Sequence, residues 1–352
     1  MSQQKIHVCF VCMGDWGSTL CLRAKSFGES LIEAGYEASF LLPMSEANSQ
    51  HATENKRIHL IPTRITKFLC AARKAIKTIQ PTHVHFLNPE FKATALSCLL
   101  PGQTVIGDWE DWHAVSRDKG LRSLVTKSCD AFMRRRSNIV ITASNWLADE
   151  FHSRYNIEAS YIPYATLPRE FPDLENPFER PTAVFMGSFH LNWDHDILID
   201  AAIELKRRGQ KPNILLIGRG HDLDRCQKVI DDHGLTNVRF SGYLDWDDML
   251  NRLQWAHLLV FPIRDKIANR ARCPFKVFQY AQARRPILTC RVGEVPTFLN
   301  EQAIYVDSDA SSFADQISQV MSQPRLPDVD YGIDQHTWES RGNDLIRVLN
   351  QA

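Results

Sequence analysis

The residues best placed to do chemistry lie in the stretch 273–288, which predicts a loop, a helix and a buried strand. Pro274 stands where a helix begins, a position at which its missing N–H costs nothing, and Lys276 follows within the first turn. Unbonded N–H groups at a helix start, here those of Phe275 and Val277, form an anion site together with a lysine. In an α/β protein this pattern indicates a phosphate, and a nucleotide as its carrier.

A second candidate is the acidic-aromatic loop, defined as residues 107–113, at the carboxyl end of a predicted strand. It holds three carboxylates, two tryptophans and one histidine within seven residues. Carboxylates bond hydroxyl groups and aromatic faces stack on sugar rings, so a carboxylate here can serve as a general base or hold a hydroxyl. Loop position favours Asp111 over Asp108 for this role, with His113 third. The alternative is that the tryptophans pack against a second domain and the acids are solvated.

The first predicted strand ends in a glycine-bounded loop, which consists of Gly14, Asp15, Trp16 and Gly17. Glycines let a backbone approach a ligand closely. The spacing is not the G-x-G-x-x-G fingerprint, so it gives little support to dinucleotide binding. The alternative is a tight strand-to-helix turn with Ser18 as the helix N-cap.

Length and composition favour a globular protein with two domains. The chain has 352 residues, of which 44% are hydrophobic and 23% charged, with zero formal net charge. Bulk charge therefore indicates no partner. No apolar run approaches the roughly 18 residues of a membrane span, and the short run 8–13 predicts a buried strand rather than a signal peptide.

Cysteine usage indicates a reducing compartment, and hence a cytoplasmic protein, peripheral at most to the inner face of a membrane. The nine cysteines are odd in number, scattered and mostly within apolar segments. Cys9-x-x-Cys12 could suggest redox or metal chemistry, but it lies in the first strand without a second pair at zinc spacing, so we interpret it as core.

Apolar runs alternate with helical patterns throughout, which predicts a parallel sheet in each domain. Strands are predicted near 6–12, 38–42, 57–61, 83–87, 103–107, 138–142, 159–162, 182–186, 213–217, 237–241, 257–261, 286–290 and 303–306. The segment 163–181 holds four prolines without periodicity and predicts a linker. A last helix is expected near 337–350. Ligands of parallel sheets bind at the carboxyl ends of strands, where the three loops above are expected.

The pattern Pro-x-Lys-x-x-Gln-Tyr-x-x-x-x-x-Pro-Ile at 274–287 resembles the donor-site helix of GT-B-fold glycosyltransferases, especially family 4. Five further landmarks resemble the same family in order, at 185–188, 215–220, 238–243, 260–262 and 292–296. The resemblance implies an α/β fold of two Rossmann-like βαβ domains facing across a cleft. The acceptor domain would span 1–165, the donor domain 166–335, and a C-terminal helix at 336–352 would cross back.

The resemblance also implies an activity, the transfer of a sugar from a UDP- or GDP-sugar to a hydroxyl of a glycan or lipid-linked acceptor. The family is retaining and needs neither a metal nor another cofactor, and it serves polysaccharide or glycoconjugate biosynthesis. Two alternatives remain open, a catalytically silent binding protein of the same fold and a nucleotide-sugar epimerase.

Residue roles carry over by position. Those implied for the diphosphate are Lys276, Arg272, Arg219, Phe275 and Val277; for the ribose or base, Gln279 and Tyr243; for the sugar, the first loop with Gly187, Gly293 and Glu294. For Arg219 a surface role, and for Tyr243 a partly buried one, is an equal alternative. The sequence also departs from the family pattern at five positions. Ala271 and Gln279 replace the family's paired glutamates. Ser188 and Trp193 replace an arginine and a lysine, and Glu294 replaces a second glycine.

The basic stretch 56–77 has seven cations and no acid, and its apolar residues recur at helical spacing near 64–79. Such a helix can contact anionic lipid, with a further basic cluster at 134–136. The alternative is a core-packed helix with a solvated basic face. Because no aromatic-rich basic groove accompanies the charges, nucleic acid is not expected as a partner.

Overall fold

The computed structural model describes residues 5–88, 90–100, 102–116, 120–167, 169–190 and 193–351. The chain divides into two compact units. The first comprises Met1–Ala165, Arg270–Cys273 and His336–Ala352, and the second Thr166–Asn269 and Pro274–Gln335. One member of the predicted proline-rich linker, Pro168, lies outside the described residues, and the chain from 169 to 180 forms neither helix nor strand.

The first unit is built on a seven-stranded parallel sheet of order β3-β2-β1-β4-β5-β6-β7. Its strands are β1 (His7–Val11), β2 (Glu37–Pro43), β3 (Ile58–Ile61), β4 (His83–Leu87), β5 (Thr104–Trp109), β6 (Ile139–Thr142) and β7 (Ser160–Tyr161). All neighbouring strands pair in parallel. The central strands are apolar on both faces because helices cover both.

The helices of this unit follow the strands in alternation. They are α1 (Thr19–Glu33), α2 (Glu46–Glu54), α3 (Ile65–Ile79), α4 (Phe91–Ser97), α5 (His113–Ser116), α6 (Leu121–Arg136) and α7 (Asn145–Tyr155). Two begin at serine N-caps whose hydroxyl accepts a backbone N–H, Ser45 from Asn48 and Ser144 from Leu147. Helix α3 buries Phe68, Ala72 and Ile76 and exposes its cations, so its apolar residues serve the core.

The second unit contains a six-stranded parallel sheet of order β10-β9-β8-β11-β12-β13. Its strands are β8 (Thr182–Met186), β9 (Asn213–Ile217), β10 (Val238–Gly242), β11 (Leu258–Phe261), β12 (Ile287–Thr289) and β13 (Ile304–Tyr305). Its α-helices are α8 (Asp196–Arg207), α9 (Leu223–Asp232), α10 (Trp246–Trp255), α11 (Ile267–Arg270), α12 (Lys276–Gln282), α13 (Val295–Leu299) and α14 (Ala310–Met321). Order reverses after β8 in this sheet and after β1 in the first, which is where ligands bind in doubly wound folds.

The last helix, α15 (Trp338–Gln351), packs on α1 in the first unit. Gly342 permits the approach, because a Cβ there would lie 2.3 Å from Ser30 Oγ. The fold class predicted from the sequence, two Rossmann-like parallel sheets with a returning C-terminal helix, is therefore confirmed. Among the described residues, no helix has the length and apolar character needed to cross a membrane.

Candidate active site

Two glycine turns meet at the carboxyl ends of β8 and β9. Gly187 N–H donates to Ile217 O at 2.9 Å, and Phe189 N–H donates to Arg219 O at 3.0 Å. A Cβ on Gly218 would lie 1.8 Å from Gly187 O, and one on Gly220 would lie 1.9 Å from Phe189 O. The two backbones therefore touch, and only glycine fits at either position.

Lys276 places its ammonium beside the first of these turns. A Cβ on Gly187 would lie 2.6 Å from Lys276 Nζ. The same nitrogen lies 4.3 Å from the ring centroid of Phe185 and 4.8 Å from that of Phe261, each at the end of a central strand. Backbone close to a cation at a switch point of the sheet is the arrangement that binds a phosphate.

Helix α12 is fixed against these strand ends by Tyr280, which is fully buried. Its hydroxyl accepts the Met186 N–H at 2.7 Å and donates to Val260 O at 3.4 Å. Burial raises the pKa of the Tyr280 hydroxyl well above its ordinary value, so it stays neutral and can make both bonds. This anchor holds Lys276, one turn earlier on α12, at the glycine turn.

The start of α12 lies where the sequence predicted it. Phe275 is the N-cap residue, and the N–H of Val277 donates to Pro274 O at 3.0 Å. The roles of Phe275, Lys276 and Val277 at the diphosphate stay predictions.

Arg219 and Tyr243 come together after β9 and β10. The Arg219 guanidinium lies 4.8 Å from the Tyr243 ring centroid, and the ring is 68% exposed. Gln279 is half-buried, three residues after Lys276 on the same helix. Gly293 has a left-handed φ of 53°. The side chain of Glu294 is 2% exposed, which removes this carboxylate from solvent.

The residues that depart from the family pattern differ in exposure and in the unit to which they belong. Ser188 and Trp193 are exposed in the second unit. Ala271 is fully buried in the hydrophobic core of the first unit, and Arg272 belongs to the same segment. The phosphate role of Arg272 stays a prediction. Arg264, a further cation of these loops, pairs with Asp194 and Asp196.

Sequence reasoning missed the histidines on the two glycine loops. His190 Nδ1 and His221 Nδ1 lie 2.9 Å apart, directly after the turns at Gly187 and Gly220. One ring must donate and the other accept at this distance. Their spacing of 31 residues gave no local signal.

One group of described residues has the chemistry and spacing to hold a metal ion, His195, Asp222 and Cys226, all buried. His195 Nε2 and Asp222 Oδ2 are 2.8 Å apart. Arg225 donates to both oxygens of Asp222, at 2.7 and 2.6 Å, and lowers the pKa of that carboxyl. Because an arginine already neutralises this acid, we assign no metal to the group.

In the first unit, the acidic-aromatic loop begins with a buried ion pair. Asp108 on β5 is fully buried and accepts from Arg23 at 2.7 and 3.0 Å. It also lies 3.0 Å from His85 Nε2. Burial alone would raise its pKa, but Arg23 and His85 outweigh burial and the pKa is lowered. Asp108 is therefore a buried anion held by internal partners, and its predicted action on a hydroxyl loses support from the geometry.

Glu110 is a second buried acid that the sequence did not single out. Its Oε2 accepts from Tyr164 at 2.8 Å and from Asn88 at 3.1 Å. Its Oε1 is buried without a partner among the described residues. Burial raises the pKa of Glu110 to about 8, with Arg23 opposing and Asp108 reinforcing the rise. The only signal in the sequence was its place in the loop.

Asp111 is the carboxylate of this loop that reaches solvent, with its side chain 43% exposed. Its N–H donates to Asn88 Oδ1 at 3.1 Å, and His113 Nε2 lies 3.9 Å from its Oδ2. His113 Nδ1 in turn lies 2.8 Å from Glu90 Oε1. Asp111 and His113 are thus brought together with a second acid, although their roles stay predictions.

The two tryptophans of the loop correct another expectation. Trp109 and Trp112 are 2% and 3% exposed, and both stack edge-on against Phe151 in the core of the first unit. Their rings are not available to a sugar, so the prediction of stacking by these residues is wrong.

The glycine-bounded loop after β1 is held by hydrogen bonds to the side chain of Asn48. This buried amide accepts the Trp16 N–H at 2.8 Å and donates to Gly14 O at 3.4 Å. Trp16 is 9% exposed, whereas Asp15 is exposed and accepts from Ser45 at 2.7 Å. Ser18 is the N-cap residue of α1, as the alternative expected, but it donates to Asp15 O. The loop is therefore a hydrogen-bonded turn with Asp15 and Gly17 at its surface.

A cavity of about 530 Å³ in the second unit opens elsewhere, at the amino ends of β8 and β9 beside Thr182 and Asn213. Parallel sheets bind ligands at the opposite edge. We therefore place the candidate site at the glycine turns and not in this cavity.

Comparisons with known proteins find a matching family model, a related sequence and similar structures. Residues 180–323 match the family model Glycosyl transferases group 1. The chain is 24% identical over 267 residues to O-antigen chain mannosyltransferase C of Escherichia coli, covering 71% of this chain and 67% of that protein. The fold resembles sucrose-phosphate synthase of Thermosynechococcus elongatus, with a TM-score of 0.74, 13% identity and 99% of each chain covered. It also resembles HepE of Anabaena in complex with UDP, with a TM-score of 0.70, 11% identity and coverage of 99% and 100%.

Proposed function

We propose that this chain, which is a glycosyltransferase of the GT-B fold, moves a sugar from a nucleoside diphosphate to a hydroxyl group of a growing glycan. The donor binds the second unit at the glycine turns after β8 and β9. The acceptor hydroxyl is handled by the acidic-aromatic loop of the first unit.

The observation that carries the proposal is the position of Lys276 Nζ, 2.6 Å from where a Cβ on Gly187 would lie. A phosphate seated on this turn contacts the backbone without a side chain between, and the ammonium bonds its oxygens. As the bond from the anomeric carbon to the diphosphate breaks, negative charge develops on the leaving oxygens. A cation already fixed by α12 stabilises that charge without reorganising.

Asp111 is the residue we assign to the acceptor. In the transfer, the acceptor oxygen forms a bond to the anomeric carbon on the same face from which the diphosphate leaves, so configuration is retained, and the hydroxyl proton passes to the Asp111 carboxylate. Its 43% exposure allows a hydroxyl to reach it, whereas Asp108 is fully buried. A positioned base contributes typically 10²–10⁴-fold.

Two relatives support a choice of substrate classes. The Anabaena protein was found in complex with UDP, and the Escherichia coli relative is named O-antigen chain mannosyltransferase C. We therefore propose a UDP- or GDP-sugar donor and a polysaccharide or lipid-linked acceptor. Retention of configuration and independence from metal are part of the proposal on the family resemblance alone.

The first test measures donor binding. Calorimetry with UDP- and GDP-sugars should show that the protein binds one of the two nucleotide classes. Lys276→Ala should weaken that binding by about tenfold or more, because a charged contact to phosphate contributes on the order of 1.5–3 kcal/mol. Lys211→Ala is a matched control, an exposed lysine beside the amino end of β9. Equal affinity in both variants would remove Lys276 from the site.

The second test measures the reaction. Asp111→Asn should bind donor with parent affinity and lose transfer, while products separate the alternatives. Sugar on the acceptor supports the transferase, an epimerised nucleotide sugar supports the epimerase, and binding with neither product supports a silent protein. Parent transfer rates in Asp111→Asn and His113→Ala would place the base elsewhere.

A further inference from the structure

Helix α6 of the first unit buries mostly polar residues and exposes apolar ones, which is the reverse of an ordinary surface helix. Its buried residues are Ser123, Thr126, Cys129, Asp130, Met133 and Arg134. Its exposed apolar residues are Leu121, Leu124, Val125 and Phe132, of which Leu121 is 79% and Leu124 62% exposed. A helix that packs on a sheet normally buries its leucines.

The inward polar face is satisfied by fixed partners. Asp130 Oδ1 accepts the Trp109 Nε1–H at 2.9 Å, and Asp130 Oδ2 accepts from Arg134 at 2.9 Å. The Arg134 guanidinium lies 3.5 Å from the ring centroid of Tyr155. Turning α6 over to bury its leucines would break this network and leave a buried tryptophan without its acceptor, which is costly. The apolar face is thus held outward.

The exposed apolar residues form one stripe. Their separations of three, four and eleven residues place them on the same side of a helix with 3.6 residues per turn. The neighbouring helices α4 and α5, which both contact α6, add exposed Phe91 and Val115. Soluble monomers rarely expose a contiguous apolar patch of this kind without an interaction to account for it.

The exposed charges of α6 itself are all positive. Arg122, Lys127 and Arg135 are exposed on α6, all of whose residues are described, and its one acid, Asp130, is buried. Helix α3 packs next to α4, which packs next to α6. It adds exposed cations, which are Arg64, Lys67, Arg73, Lys74 and Lys77. An apolar stripe flanked by cations complements a surface that is apolar inside and anionic outside.

We propose that α6 docks this protein on an anionic lipid bilayer, with its apolar stripe in the boundary between headgroups and acyl chains and its flanking cations at the lipid phosphates. A helix of this type lies in the plane of the interface. Helix α3 contributes charge alone, because its own apolar residues are buried in the core. Membrane docking by α6 is independent of the proposed catalysis.

The test is sedimentation of the full chain with vesicles of phosphatidylcholine, with and without phosphatidylglycerol. The parent protein should bind the anionic vesicles, and added salt should weaken binding. The double variant Leu124→Gln, Phe132→Gln should lose at least about tenfold in partition coefficient. Lys127→Gln should lose roughly fivefold on anionic vesicles only. The matched control is Leu174→Gln, an exposed leucine of the second unit.

Because the substituted side chains are exposed, both variants should keep the parent melting temperature, and Leu121→Gln, Val125→Gln is a second pair should the first misfold. Absence of vesicle binding at low salt would overturn the proposal, as would equal binding by parent and double variants. A parent dimer that the double variant converts to a monomer, without vesicle binding, would instead assign the stripe to a second copy of the chain.

Discussion

Replacing Glu110 by Gln should change the pH dependence of stability in a defined direction. Glu110 is an acid buried in the first unit, with Oε2 bonded to Tyr164 and Asn88. A glutamine keeps one carbonyl oxygen for these two donors and has the shape of the protonated acid. The variant therefore imitates the neutral form of Glu110 at every pH.

The magnitude follows from the pKa. Burial raises the pKa of Glu110 from 4.5 to about 8. Between these values the folded protein holds a proton that the unfolded chain has released, so the free energy of unfolding falls as pH rises through this window. Below pH 4.5 the loss is absent, and above pH 8 it is complete, on the order of 4–5 kcal/mol. Glu110→Gln removes that loss, so its advantage over the parent should grow from about zero near pH 4.5 to several kcal/mol at pH 9.

Urea unfolding of parent and variant at pH 5, 7 and 9 measures the difference directly, because other titrating groups contribute equally to both proteins. Glu54→Gln, an exposed glutamate of the same unit, is the control, and its difference from the parent should stay constant. The reasoning is refuted if the difference between Glu110→Gln and the parent does not change across this range.

Three further outcomes are expected. Gln279→Ala should raise the donor Michaelis constant more than it lowers turnover, because an amide contact to ribose acts on binding; steady-state kinetics that show the reverse would contradict the ribose assignment. Gly220→Ala should lower the melting temperature markedly, since its Cβ would lie 1.9 Å from Phe189 O, and an unchanged melting curve would disprove that close contact. Asp108→Asn should destabilise the fold by about 3–5 kcal/mol by leaving Arg23 buried without its counter-charge, and a loss of transfer at parent stability would show instead that Asp108 acts on substrate.

The strands were readily predicted from the sequence. Each of the thirteen predicted positions carries a strand, and most boundaries agree within two residues. A strand buried on both faces of a parallel sheet must be continuously apolar, so the run itself marks the element. The start of α12 was also predictable, because Pro274 tolerates only certain positions in a helix.

Side-chain environments were less predictable, because partners come from distant parts of the chain. Two tryptophans in a predicted polar loop suggested ligand contact, yet Trp109 lies in β5 and both rings pack in the core. A hydrophobic pattern does not predict that the leucines of α6 face outward, because it does not distinguish the buried side of a helix from the exposed side. They depend on Trp109, 21 residues away, binding Asp130 and fixing which face turns inward.

The three carboxylates of the acidic-aromatic loop illustrate how one cation divides equivalent residues into different roles. Asp108 lies in β5 and Glu110 in the bend that follows, and both carboxyl groups interact electrostatically with Arg23. The Arg23 guanidinium makes two hydrogen bonds to Asp108, and its other bonds go to the backbone oxygens of Ile162 and Pro163. Burial raises the pKa of Glu110 to about 8, because the opposing effect of Arg23 is smaller than that of burial. Asp111 is partly exposed to solvent, next to His113. Of three acids that the sequence presents alike, one is a fixed anion, one a buried neutral group, and one is accessible to an incoming hydroxyl.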